Sequence, residues 1–211
     1  MTNNMYRQGT VQDLKNDYVI IANTTRGINR EGSASKIQEF MRICLRHHPV
    51  NIADLNQGSI LQDDIDVQKL IPNIGDGGDI TAVFGNIDAL QEVVGELIQA
   101  NLGISINISG LTDEVQKCCR KSGIERHSVE HSLGFWGATD RLPEREVLEI
   151  NTLCGHGMVS FNFIRKMIEY VRLRRLTIKE AARTMGKGCK CGSFNPSRAE
   201  IVLERILKIN H

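Results

Sequence analysis

Two glycine-flanked cysteine turns, Cys154-Gly-His-Gly-Met158 and Gly188-Cys-Lys-Cys-Gly192, constrain this chain more than any other feature. What they can become depends on the compartment. Met1–Asp17 is polar and has neither the apolar core nor the small-residue cleavage pattern of a secretory leader. Apolar runs such as Tyr18–Ala22 fall far short of the roughly 18–20 residues that cross a bilayer. The expected compartment is the cytoplasm, with no membrane segment. There the six cysteines are not expected to pair as disulfides, and clustered thiols point to metal binding or catalysis.

Cys154, Cys189 and Cys191 each stand ahead of a helical pattern, where the partial positive charge of a helix N-terminus and its free N–H groups favour thiolate. The glycines leave backbone room beside a bulky inorganic group. Two helical patterns between the turns read as a hairpin that returns the chain and lets the turns meet. Three occupants are open. A 4Fe–4S cluster on three thiolates leaves one iron without a protein ligand. Zinc takes four ligands, which His156 would complete with the cysteines, although the single residue between Cys189 and Cys191 is fewer than the usual about two to four. The third possibility is loop thiols without metal. His156 is correspondingly a ligand, an acid or base beside an open iron, or a structural turn residue. Cys44 reads as a buried small hydrophobe. Cys118 and Cys119 are adjacent on a helix, about 100° apart, so one of them is expected to face the core.

The fold expectation is α+β or α/β. A polar segment (1–14) is followed by an α/β sandwich (15–140), for which a ferredoxin-like arrangement is one closure, and then by a small helical metal-binding segment (141–211). Strands are expected at 18–24, 51–57, 80–84, 104–108 and 127–135, and helices around Ile37–Leu45 and at 62–70, 87–100 and 111–122. After Pro143 the pattern is all helical: 144–150, 159–173, a capping box at Thr177-Ile-Lys-Glu180 opening a helix to Met185, and Pro196–Ile209 behind an Asn195 cap.

Outside the cysteines, Thr25, Arg26 and Asn29 lie in a loop at a strand end, where α/β proteins often bind anions. Ser105, Asn107 and Ser109 alternate along a strand. His127, Glu130, His131 and Trp136 precede the helical segment, with Trp136 expected as a packing anchor. Arg165, Lys166, Arg172, Arg174, Arg175 and Lys179 form a basic cluster, but a formal charge of +1 gives no case for nucleic acid as a partner.

The runs Cys154-Gly-His-Gly-Met-Val-Ser160 and Cys189-Lys-Cys-Gly-Ser-Phe-Asn-Pro-Ser-Arg-Ala199, together with Ser132-Leu-Gly-Phe-Trp-Gly137 and Arg26-Gly-Ile-Asn-Arg-Glu-Gly32, resemble a family of small uncharacterised proteins of anaerobic prokaryotes, taken to carry iron–sulfur centres. The resemblance spans most of the chain and implies a shared metal site, not a reaction.

The expected function is therefore that of a 4Fe–4S protein with Cys154, Cys189 and Cys191 as ligands. Its open iron would act as a Lewis acid on a small anionic substrate, by elimination or sulfur transfer. Arg26, Thr25 and Asn29 are the candidate substrate contacts, and His156 and His131 the candidate acid/base groups. One alternative is a non-enzymatic electron carrier, cluster-delivery or redox-sensing protein with a redox partner. Another is a zinc-stabilised regulator whose Leu176–Leu207 resembles a helix-turn-helix.

Overall fold

The computed structural model describes residues 7–209; the ends of the expected first and last segments, 1–6 and 210–211, lie outside the described residues. The strands are β1 (Tyr18–Asn23), β2 (Asn51–Asp54), β3 (Gly58–Ser59), β4 (Ile80–Phe84) and β5 (Ser105–Ser109). The helices are α1 (Val11–Leu14), α2 (Ala34–Arg46), α3 (Val67–Leu70), α4 (Ile87–Ala100), α5 (Thr112–Lys121), α6 (Arg145–Asn151), α7 (Phe161–Arg172), α8 (Ile178–Lys187) and α9 (Pro196–Ile209). No helix among them is long and apolar enough to cross a membrane.

The strands form a single antiparallel sheet in the order β3-β2-β4-β1-β5. With α2 linking β1 to β2 and α4 linking β4 to β5, the main strands have the βαββαβ course and interleaved order of a ferredoxin-like sheet. Side-chain alternation decides which face meets what. Tyr18, Ile20 and Ala22 of β1 join Ile52, Ile80, Ala82 and Phe84 against α2 and α4, whose Ile37, Phe40, Met41, Leu90 and Val93 are fully buried. Each such aliphatic or aromatic side chain contributes about 1.5–3 kcal/mol on leaving water. Val19, Ile21 and Val83 point to the opposite face.

Part of that second face, on β2, is covered by the helical segment. Asn51 donates from its amide to the Phe194 carbonyl at 3.0 Å and accepts from the Ser59 hydroxyl at 2.7 Å. Two residues along, Ala53 packs so closely on Gly192 that a Cβ at Gly192 would overlap Ala53 Cβ. Helices α6 to α9 bury a core of their own, from Val147 and Ile150 through Ile164 and Met167 to Ala181, Ala182, Met185, Val202 and Leu203.

Several expected elements differ. Residues 127–135 form no strand: the sheet ends at β5, whose remaining edge is not paired among the described residues, and 129–136 leave Val129, Leu133 and Trp136 exposed. Trp136 is 80% exposed and donates from its indole N–H to the Leu133 carbonyl three residues back, so it anchors nothing across the fold. The expected helix 62–70 shrinks to α3, which begins only where Asp66 caps it at the Gln68 N–H; a 3-10 turn, Ile71–Asn73, follows with Pro72 inside it. Helix α5 starts after Leu111 with no side-chain hydrogen bond capping it. Cys118 and Cys119 are both buried and both belong to the main core, where one of them was expected to face it. The capping box at Thr177 and Glu180 and the Asn195 cap on the Arg198 N–H form as expected, but α8 runs on to Lys187, which shortens the second cysteine turn.

Candidate metal-thiolate centre

Both cysteine turns hang from helix C-terminal ends. The Cys154 N–H donates to the Asn151 carbonyl at 3.1 Å as α6 ends, and the Gly157 N–H donates back to the Cys154 carbonyl at 2.9 Å. Asn151 pins the far side of this turn with a 2.7 Å hydrogen bond to the Val159 carbonyl, and Gly157 takes the left-handed φ of +66° that closes it. The Cys189 N–H donates to the Gly186 carbonyl at 3.0 Å as α8 ends, and the Gly192 N–H donates to the Cys189 carbonyl at 3.2 Å. The expected placement at helix N-termini is thus corrected. A C-terminal macrodipole opposes thiolate, so any acidity of these thiols comes from local donors.

Those donors are present. Cys189 Sγ lies 3.7 Å from Cys191 Sγ, and the Ser193 hydroxyl lies 3.2 Å from Cys191 Sγ and 3.7 Å from Cys189 Sγ. Cys154 reaches Cys189 from the other turn and accepts from the backbone N–H groups of His156 and Met158. A hydrogen bond from Cys189 is the main reason that the Cys191 thiol falls to about 4, with Ser193 adding to it against the cost of burial. The same donor brings Cys154 down to about 6. Cys189, donating to both, is driven well above the ordinary thiol value. The trio shares its protons as one unit in which Cys154 and Cys191 are favoured as thiolates over Cys189. Cys154 and Cys189 are buried and Cys191 is half-buried.

The spacing bears on what the trio can hold. Two thiolates on one tetrahedral ion, with bonds of about 2.3 Å, stand about 3.8 Å apart. Cys189 and Cys191, at 3.7 Å, match that figure. Among the described residues, however, no group of three or more His, Cys, Asp or Glu side chains is arranged as a complete ligand set, so Cys154 has to shift to join the pair on one ion.

Of the other expected residues, His156 is exposed and close enough to Cys191 to favour its thiolate electrostatically. His131 is exposed in the segment 124–138, which has no regular structure. Asn29 is a loop-forming residue: its carbonyl accepts from the Thr25 N–H at 2.8 Å and its amide donates to the Gly103 carbonyl at 3.0 Å. Thr25 and Arg26 are exposed beside it. This loop follows β1, whereas Asp17, which joins the cysteine segment through Arg7 and Arg198, precedes it. No hydrogen bond or ion pair joins Thr25, Arg26 or Asn29 to the cysteine turns among the described residues. Ser105 and Asn107 are exposed on a solvent face.

Residues that the sequence did not mark surround the thiols instead. Arg7 donates to the Ser193 carbonyl and, at 3.0 Å, to Asp17. Arg198 donates to Asp17 at 2.6 Å and to the Gln8 carbonyl. Asn195 adds a 3.0 Å hydrogen bond to the same carboxylate. Ser193, Asn195 and Arg198 lie within the second cysteine motif, which was the available signal; nothing in the pattern around Arg7 distinguishes it.

No family model, no curated protein and no solved structure matches this chain.

Proposed function

We propose that the protein is a metal-thiolate protein in which Cys154, Cys189 and Cys191 hold a thiophilic metal centre. The observation that carries this reading is the convergence of three thiols from two distant turns, with Cys189 and Cys191 3.7 Å apart, beside a hydroxyl and buried guanidinium groups. Deprotonated together at that distance, Cys189 and Cys191 would repel one another unless a cation joined them. The 3.7 Å spacing favours a single tetrahedral ion such as zinc or iron, with Cys154 drawn in and His156, from the same turn as Cys154, as the candidate fourth ligand.

A 4Fe–4S cluster is the second reading. The donor set favours it: three thiols, no carboxylate among them, in turns rich in glycine. It requires Cys189 and Cys191 to spread to separate irons. On that reading the open iron supplies Lewis acidity, or the centre carries electrons to a partner protein.

Anaerobic purification, a visible spectrum and analysis for iron, sulfide and zinc distinguish the two. A colourless protein with one zinc per chain supports the single ion, and a brown one with about four irons and four sulfides supports the cluster. Cys154→Ala is expected to lose the metal in either case. Full metal retention in that variant would sink the proposed ligand set.

A further inference from the structure

Arg7 and Arg198 place two guanidinium ions against one carboxylate. Both donate to the same oxygen of Asp17, Oδ2, and Arg198 and Asp17 have fully buried side chains while that of Arg7 is 5% exposed. The Nε of each arginine is buried and has no hydrogen-bond partner among the described residues. A surplus cation held out of water in this way is costly unless an anion stands close. Beyond Asp17 and Arg198, the ionisable groups that act on Arg7 are the thiols of Cys189 and Cys191. Ser193 connects the two groups: its carbonyl accepts from Arg7, and its hydroxyl lies 3.2 Å from Cys191 Sγ and 3.7 Å from Cys189 Sγ.

We infer that Arg7 is the charge-balancing residue of the thiolate centre, so that docking of Arg7 against the cysteine segment and metal loading reinforce each other. The inference rests on the metal-thiolate reading. Three thiolates on a divalent ion carry one net negative charge, which offsets the surplus guanidinium. Arg7 acts through Ser193 and through its field, and is a positioning residue, not a ligand.

The test uses the reduced full-length chain and cobalt(II) as the probe, read by its sulfur-to-metal charge-transfer absorption and by competition with a chelator. Arg7→Met, which keeps the bulk and removes the charge, is expected to bind cobalt at least about tenfold more weakly, and Arg7→Lys, which keeps the charge, to stay within about threefold of the unmodified chain. Melting of the metal-free proteins is recorded alongside, and should Arg7→Met fail to fold, Arg7→Gln, which also removes the charge but keeps a donor for the Ser193 carbonyl, is read in its place. If the unmodified chain binds cobalt and Arg7→Met binds it equally well, the inference is overturned and the metal-thiolate reading stands. A loss in Arg7→Lys of tenfold or more also overturns it, because fork geometry and not charge would then be responsible. If the unmodified chain shows no sulfur-to-cobalt absorption, the metal-thiolate reading itself falls and takes the inference with it.

Discussion

Arg198 Nη1 stands 2.6 Å from Asp17 Oδ2, and neither side chain is exposed to water. The pair ties the first turn of α9 to the residue preceding β1, and Asn195 adds a second tie to the same carboxylate. Asp17 also pairs with Arg7, so the two ends of this contact are not equivalent. Asp17→Asn leaves two buried guanidinium ions without a counter-charge and is expected to lower the urea-unfolding free energy by about 3–5 kcal/mol. Arg198→Met leaves Asp17 paired with Arg7 and should cost clearly less. A loss below about 1 kcal/mol for Asp17→Asn would show that the carboxylate does not hold the helical segment on the sheet.

Gly192 carries two constraints at once. Its φ of +72° lies in the left-handed region, and a Cβ there would overlap Ala53 on β2. Gly192→Ala is expected to cost about 1–3 kcal/mol. Because the Cys191–Ser193 turn must shift to relieve the overlap, it should also slow uptake of cobalt by the thiols. Chemical denaturation and stopped-flow absorption measure the two effects. A variant as stable as its parent would mean that the turn lifts freely from β2.

The legibility of this chain follows its local physics. Strand β4 and helix α4 were readable to the residue, because a buried β-branched run and an amphipathic repeat behind the Asn86 cap are local signals. The capping box at Thr177 and the Asn195-Pro196 start were equally local. The segment 127–135 misled because alternation of Val129, His131, Leu133 and Phe135 imitates a strand, while the choice of edge partner is a tertiary matter. The cysteine trio was legible as residues, but its helix-end placement was not: two further helical residues, Gly186 and Lys187, bring the end of α8 to within two residues of Cys189. Arg7 was invisible, since its meaning lies in Asp17 and Ser193, far from it in sequence.

The Asp76 carboxylate bridges the loop ahead of α2, accepting from the Gly32 N–H at 2.9 Å and the Ala34 N–H at 2.8 Å. These backbone donors, Gly32 first, hold its pKa below the ordinary 3.8. A depressed carboxylate contributes stability that is present above the unfolded value and disappears as pH falls through the lower folded one. Asp76→Asn should therefore exchange the Gly32 and Ala34 amide protons faster than the parent near pH 6, and the gap should close below pH 3.8. A gap undiminished at pH 2 would assign the protection to something other than the carboxylate.

Cys191 is the member of the trio that reagents can reach, and the donors around it keep it a thiolate well below neutral pH, its pKa lowered to about 4. In the reduced, metal-free chain it should be the first cysteine alkylated by iodoacetamide. Its rate should stay nearly flat from pH 8 to pH 6, where an ordinary thiol slows about tenfold per unit. Cys44, whose thiol burial drives far up, and Cys118, raised to about 11 mainly by burial, should remain unmodified in the native state. Ser193→Ala removes the hydroxyl 3.2 Å from Cys191 Sγ, and the alkylation profile of Cys191 should then move toward higher pH without a change in its accessibility. Peptide mapping of the alkylated chain across this pH range reads all of these together. An ordinary titration of Cys191 near pH 9 in the native, metal-free chain would remove the thiolate trio as a preformed metal site, since the ligands would then have to be deprotonated by the metal itself.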